Sequence, residues 1–290
     1  MAELLIEAII AGILLGCFYA AVSVGLAVAF GLLDVPHIAH PAFLILGAYA
    51  VFLLASHGAD PLIAGVILMP LFFALGVGVY RVYYTAFEKR GGGVDAGLRG
   101  LAFLFGVGFI VEVALILFFG VDQRMVDATY IGKSLAIRDF RIPVRMLIAF
   151  CLALLLTAAL SLYLSRTFTG RAIRAVAQDQ TALALMGADP VRIKQWAFGI
   201  AMATCAPAGA LLIVVGPVEP GLGRLYIGRT FCVAVLAGLG SMKGTLAAGI
   251  ILGVAESIVL TSLGPSWAPA AAFGILLLVL AVRPAGLFGR

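Results

Sequence analysis

Charge is what this chain has least of. Asp, Glu, Lys and Arg make up 11% of its 290 residues, against roughly a quarter in soluble domains. Hydrophobic residues reach 63% and the mean hydropathy is +1.17. A soluble globular fold is excluded, and the chain reads as an integral membrane protein. Segments of about ten residues alternating in polarity, the mark of an outer-membrane barrel, are missing. The apolar runs are unbroken and near 20 residues, which at about 1.5 Å per residue crosses a core of about 30 Å as helix. Cysteine is scarce: Cys17, Cys151, Cys205 and Cys232 sit in separate apolar segments with no CxxC spacing. Neither a disulfide framework nor a zinc site is supported, and the four read as small core residues. There is no GxxxxGK[ST] phosphate loop, since Gly91 to Gly93 is not followed by Lys-Ser or Lys-Thr. HExxH and GxSxG are also missing, which leaves a membrane-embedded enzyme without support. Where a signal peptide would carry Lys or Arg, MAELLIEAII has Glu3 and Glu7, so the first apolar run is expected to be a retained helix.

What is present predicts an all-α, polytopic membrane protein. It has about eight transmembrane helices plus short broken or re-entrant segments, in a single transmembrane domain over residues 1–290. The candidate spans are roughly 5–31, 42–57, 61–80, 101–121, 144–164, 195–216, 244–263 and 267–283. A shorter apolar piece at 230–241 is too brief for an ordinary span and suits a broken or re-entrant segment. The net charge of +5 comes mostly from loops; it reads as topology and lipid-headgroup affinity, with no basic face for nucleic acid. Placing residues 166–194 in the cytoplasm also puts Arg81, Lys89, Arg90, Arg99, Arg283 and Arg290 there. The other side then receives Arg124, Lys133, Arg138, Arg141, Arg145, Arg224 and Arg229, a smaller share, which favours this orientation. The loop EKRGGGVDAGLRG (Glu88 to Gly100) has the composition of a flexible connection. The external stretch Asp122 to Pro143 is either a small ordered cap or a solvated loop.

The longest polar interruption is RTFTGRAIRAVAQDQTALALMGADPVRIK, from Arg166 to Lys194. Ile173, Val176, Ala177, Leu183 and Ala184 are expected on one helix face, interrupted by Gln180, with Arg171, Arg174 and Gln178 opposite. Gly187 supplies a helix stop, and Asp189 with Pro190 an N-cap and first-turn proline for a second helix. A solvated connector has the same polarity, but a loop this long between compact helices points to a docking helix for a soluble partner.

Polar residues also fall inside the apolar runs. In GLLDVPHIAHPAFLILGAY, Asp34, His37 and His40 are bracketed by Pro36 and Pro41. Two prolines this close cannot both sit within an undisturbed helix, so the helix breaks, either beside a translocation pathway or as a turn at the cytoplasmic surface. His37 and His40 have no third ligand for a metal. GLGSMKG, from Gly238 to Gly244, is a second break; Gly238 and Gly240 suit close helix packing or unwound chain at a cavity. Small-residue sequence follows both breaks, a hint of two related halves. Glu112 and Glu256 lie deepest in apolar runs, where a charge costs about 2.5–3.5 kcal/mol, so each faces protein or water. Either has a functional or a structural, hydrogen-bonded role open to it. Pro207 implies a kink in the sixth span, which Gly216 and Pro217 end.

Four stretches together carry a family resemblance: Gly31 to Ala50, Gly170 to Lys194, VLAGLGSMKGTLAAGIILGVAES (Val235 to Ser257) and RPAGLFG (Arg283 to Gly289). They occur in the order found in LivH-type transmembrane permeases of ABC importers for branched-chain amino acids, which this chain resembles over nearly its whole length. The resemblance implies a permease of the bacterial plasma (inner) membrane with no cofactor of its own. Its implied partners are a second homologous permease, two ATP-binding subunits and a periplasmic or extracellular substrate-binding protein. It further implies an ATPase-coupling interface over Arg171, Ile173, Arg174, Val176, Ala177, Asp179, Leu183 and Gly187. His37, His40, Pro41, Gly238, Gly240 and Glu256 are the expected pathway residues. His37 stands where the family commonly has Asn, and Pro41 where it has Gly; Ala206-Pro207 replaces residues usually small enough for close packing. The alternative function is an ion- or proton-coupled secondary transporter using Glu112, Glu256, His37 and His40. A pathway of aliphatic and small residues suits a small, partly apolar solute.

Overall fold

The computed structural model of the chain describes residues 2–33, 35–89, 94–137, 140–238 and 240–289. Asp34, Arg90, Gly91 to Gly93, Arg138 and Arg290, all named above, lie outside them. The helices are α1 (Ala2–Leu33), α2 (His40–Ser56), α3 (Pro61–Ile67), α4 (Met69–Tyr83) and α5 (Val94–Phe119), a π-helical turn at Tyr84–Glu88 preceding α5. The hairpin β1 (Ser134–Ile137) and β2 (Phe140–Pro143) leads to α6 (Val144–Arg166). There follow α7 (Phe168–Gln178), α8 (Gln180–Leu185), α9 (Pro190–Ala203), α10 (Cys205–Val215), α11 (Gly223–Ala237), α12 (Met242–Ser262) and α13 (Ala268–Val282). It is a polytopic helical membrane protein.

Among the described residues, six helical stretches are long and apolar enough to cross a membrane, seven if α2 and α3 count as one bent span, against about eight expected. The expected span 61–80 is two helices, because Pro70 has no amide to continue the hydrogen-bond ladder of α3 and the chain steps at Leu68. Between α2 and α3 the direction changes by 119°. Asp60 caps α3 there, its Oδ1 accepting from Leu62 N at 2.9 Å. The sixth span starts at Pro190, and its interruption is at Thr204, one turn before Pro207, where that proline leaves a carbonyl without its amide. As expected, the helix ends at Gly216.

The short piece at 230–241 is corrected most. Its helix, α11, starts at Gly223 and takes in Arg224 and Arg229, so these two arginines leave the external loop and the basic bias to the cytoplasmic side sharpens. Their carboxylate partners, on α5 and α12, explain how a charged segment enters the bundle. The external stretch is partly ordered. Ser134 faces Pro143 and Leu135 faces Ile142 in the hairpin, and Arg124 bridges Val218. Tyr130 donates to Asp60 at 3.5 Å; burial, and then that carboxylate, push its phenol up to about 12, so it stays a donor at neutral pH.

Glycine sets the helix spacing. In lipid, apolar side chains gain little by leaving the tails, so helices associate through close packing. The sequence GILLG on α1 (Gly12, Gly16) meets GIILG on α12 (Gly249, Gly253), antiparallel. A Cβ on Gly16 would fall 2.5 Å from the Ile250 Cα, and one on Gly12 2.5 Å from the Val254 Cα. The same device recurs where Gly47 of α2 meets the Cys205 carbonyl of α10, and where Gly76 of α4 meets Gly199 of α9. Gly253→Leu is expected to cost about 3 kcal/mol or more, the upper range for overpacking, since backbone and not a yielding side chain opposes it. Half-buried Gly274→Leu on α13, where an added Cβ meets nothing within 4 Å, is the control; thermal unfolding of the two variants in detergent is the measurement.

Candidate functional site

α1 is 32 residues long, about 48 Å, with its midpoint between Cys17 and Phe18. The chain leaves its end at Leu33 and runs back beside it without helical structure: Val35 N bonds Ala29 O at 3.4 Å, and His40 Nε2 reaches Val22 O at 3.0 Å. The first break is therefore non-helical backbone folded back along α1, and α2 begins beside Val22, short of the end of α1. α11 begins at a similar depth. Its Tyr226 ring packs 6.2 Å from Phe18, and a Cβ on Gly223 would sit 3.5 Å from the Pro41 carbonyl.

His37 and His40 are wholly enclosed, so in this structure neither touches a passage. A carbonyl only accepts, so His40 Nε2 carries the proton toward Val22 and its Nδ1 accepts from the Cys205 thiol, 3.5 Å away. His37 Nε2 lies 3.1 Å from Met202 Sδ and its ring 4.6 Å from that of Phe198. The two imidazoles pin the non-helical stretch to α1, α9 and α10 from inside. Pro41 is buried as well.

Gly238 and Gly240 also serve packing. Both have φ of +83°, which favours glycine. An added Cβ on Gly240 would meet the Gly31 carbonyl at 2.9 Å, and one on Gly238 the Gly289 and Ala285 backbone. Leu287 N bonds Leu236 O at 2.9 Å. The end of α1, the GLGSMKG turn and the RPAGLFG tail thus form one close-packed knot.

Glu256 is enclosed on α12 with both oxygens occupied: Oε2 accepts from Tyr19 OH at 2.6 Å and Oε1 from Arg229 Nε at 3.2 Å. The Arg229 guanidinium lies 5.5 Å from the Tyr19 ring centre and 5.9 Å from that of Tyr226. This carboxylate ties α1, α11 and α12 together. Glu112 differs. It pairs with Arg224 across α5 and α11 at the surface of the chain, where Arg224 is 71% exposed and Glu112 14%. Beside the pair is a cavity of about 210 Å³ with Ile38, Ala42, Phe109 and Ile227 in its wall. Sequence reasoning missed the partner because it placed Arg224 in a loop.

The Arg166 to Lys194 region is rearranged relative to expectation. Asp179 is not helical; its Oδ1 accepts from Thr181 N at 2.8 Å and Ala182 N at 2.9 Å, ending α7 and capping α8. One continuous apolar face through Leu183 and Ala184 is thereby ruled out. Ile173 and Val176 are buried against α6, α9 and α1, so they anchor the segment and are unavailable to a partner. Arg171, Arg174, Ala177 and Gly187 are exposed, and Leu183 is half-buried. The outward apolar groups are Phe168, Leu185 and Met186, each over 80% exposed; Phe168 and Met186 line a groove with Leu183 and Trp196. Gly187 stops α8 with φ of +82°, and Asp189 caps α9 through Val191 N at 3.0 Å, both as expected. A further, partly buried pair stands just behind. Lys194 Nζ lies 2.5 Å from Glu88 Oε1, whose other oxygen accepts from Tyr80 OH at 2.8 Å. It joins α9 to the π-helical turn after α4.

The family described as "Branched-chain amino acid transport system / permease component" matches residues 8–282. The high-affinity branched-chain amino acid transport system permease protein BraD of Pseudomonas aeruginosa is 30% identical, over 98% of this chain and 96% of its own. The high-affinity branched-chain amino acid transport system permease protein LivH of Salmonella typhimurium is 27% identical, over 96% of this chain and 94% of its own. Among solved structures, PsaBC from Streptococcus pneumoniae in complex with Fab aligns with a TM-score of 0.49 at 14% identity, covering 96% of this chain and 91% of that one.

Lys194→Met strands the Glu88 carboxylate and is expected to destabilise the protein by about 3 kcal/mol. Adding Glu88→Gln should recover at least half of that loss. Thermal unfolding in detergent reads both; equal loss in the single and double variants would show that the pair is not what holds α9 to α4.

Proposed function

The chain belongs to the permease components of branched-chain amino acid transport systems, and from that we propose how its parts divide the work of an ABC importer. With a second permease it forms the route for branched-chain or similar hydrophobic amino acids across the plasma (inner) membrane. The match over residues 8–282 carries this reading. Two ATP-binding subunits supply the energy, since this sequence lacks a GxxxxGK[ST] loop. They dock on the α7–α8 foot, against Phe168, Leu185 and Met186, with Arg171 and Arg174 beside them as rim charges. A soluble substrate-binding protein delivers the solute on the side of the β1–β2 hairpin.

The route lies on the face that bears Glu112 and Arg224. An ion pair open at the chain surface at this depth is costly against lipid and compatible with water or a second subunit. The residues at the two breaks shape that face from behind: His37, His40 and Pro41 fix where α2 begins, while Gly238, Gly240 and Glu256 fix α11. A gradient-driven carrier is disfavoured, because Glu256 and His40 are committed to internal contacts and His37 is wholly enclosed.

Uptake of L-leucine by proteoliposomes containing this chain, its co-expressed permease, ATPases and binding protein should require ATP inside. Met186→Glu together with Leu185→Glu should cut recovery of the ATPase with the tagged permease at least tenfold. Uptake by the isolated chain under a proton or sodium gradient, with no ATPase present, would overturn the proposal.

A further inference from the structure

Resting on the permease reading, we propose that the cavity between α2, α5 and α11 is a transit site for a zwitterionic aliphatic amino acid. Arg224 takes the carboxylate and Glu112 the ammonium. The ion pairs Arg229–Glu256 and Arg224–Glu112 are built differently. At Arg229–Glu256 both carboxylate oxygens have donors and only 3% of the Glu256 side chain is exposed, so that carboxylate is closed to a ligand's ammonium group. At Arg224–Glu112, Nε at 3.0 Å and Nη2 at 2.5 Å both converge on the single oxygen Oε1. Among the described residues, Glu112 Oε2 and Arg224 Nη1 make no hydrogen bond. Each partner thus keeps one bonding position of its own sign, side by side at the cavity wall.

A solute that fills both positions must carry an anion and a cation a few bonds apart. An α-amino acid does so, and it exchanges one ion pair for two without leaving a charge uncompensated. A plain carboxylic acid or amine satisfies one side chain and strands the other, a loss of the kind that makes broken pairs at low dielectric expensive. The rest of the wall selects the side chain. Ile38, Ala42, Phe105, Phe109, Leu115 and Ile227 offer no hydrogen bond from their side chains, so a polar side chain would lose its water without replacement. At about 210 Å³ the space is below the roughly 300–1,000 Å³ of drug-sized sites, which confines it to a small solute. Its location fits transit. The cavity opens on the chain surface beside α5, whose span Gly97–Phe119 is only 17% buried.

The test uses the assembled importer in proteoliposomes with radiolabelled L-leucine, varying the loaded binding protein. In Glu112→Gln and in Arg224→Gln, the maximal uptake rate should fall at least tenfold. The concentration of loaded binding protein giving half that rate should stay within twofold, because capture occurs elsewhere. Ile227→Phe, which narrows the cavity and leaves the charges in place, should lower the maximal rate at least fivefold. It keeps the proposal testable should the charge variants fail to assemble. Uptake within twofold of the parent in all three variants would overturn the site and leave the permease reading intact. So would full recovery in the charge-reversed Glu112→Arg/Arg224→Glu protein, the mark of a purely structural pair. Failure of the parent importer to move L-leucine with ATP would strike the permease reading instead.

Discussion

The backbone-to-backbone approach of α1 and α12 is the constraint on which the other contacts depend. Because lipid tails solvate Leu and Ile as well as protein does, nothing presses these helices together except the van der Waals contact that glycine permits. With Gly12 and Gly16 against Gly249 and Gly253, the two helices come close enough for Tyr19 to reach Glu256. That contact in turn fixes Arg229 and so α11. A wider spacing would leave Glu256 reaching into apolar space.

Charge is used sparingly, each time with a different degree of enclosure. Lys194–Glu88 is nearly buried on the lysine side, Arg229–Glu256 nearly buried on the glutamate side, and Arg224–Glu112 open on the arginine side. The first two join helices distant in sequence, where loss of one partner is expensive and the pair itself adds little. Their value is in specifying which helices are neighbours. The third has its arginine at the surface, the geometry that leaves bonding capacity over.

Much of the fold was legible in the sequence because apolar run length and proline placement act locally. The long helices, the helix start at Asp189–Pro190 and the stop at Gly187 follow from backbone chemistry within a few residues. What was not legible depends on partners far away in the chain. Arg224 and Arg229 look like loop residues until Glu112 and Glu256 are beside them, and this hid the first half of α11. Ile173 and Val176 form an apolar stripe whichever way it faces; only α6 and α9 decide that it points inward. Asp179 is the exception, since an acid followed by Gln-Thr-Ala is a capping signal that the longer periodicity obscured. His37 and His40 were readable as a break, but their depth and enclosure come from the return of the chain beside α1.

The inward stripe of α7 changes how the cytoplasmic foot behaves mechanically. With Ile173 and Val176 sunk among α6, α9 and the end of α1, and with α9 restarting directly at Asp189, there is little slack between foot and bundle. If an ATPase docks on this foot as proposed, a push at Leu185 or Met186 would pass to α9 and the helices packed on it instead of being taken up in slack. On that reading the segment would work as a crank keyed to its shaft, with Ile173 and Val176 as the key.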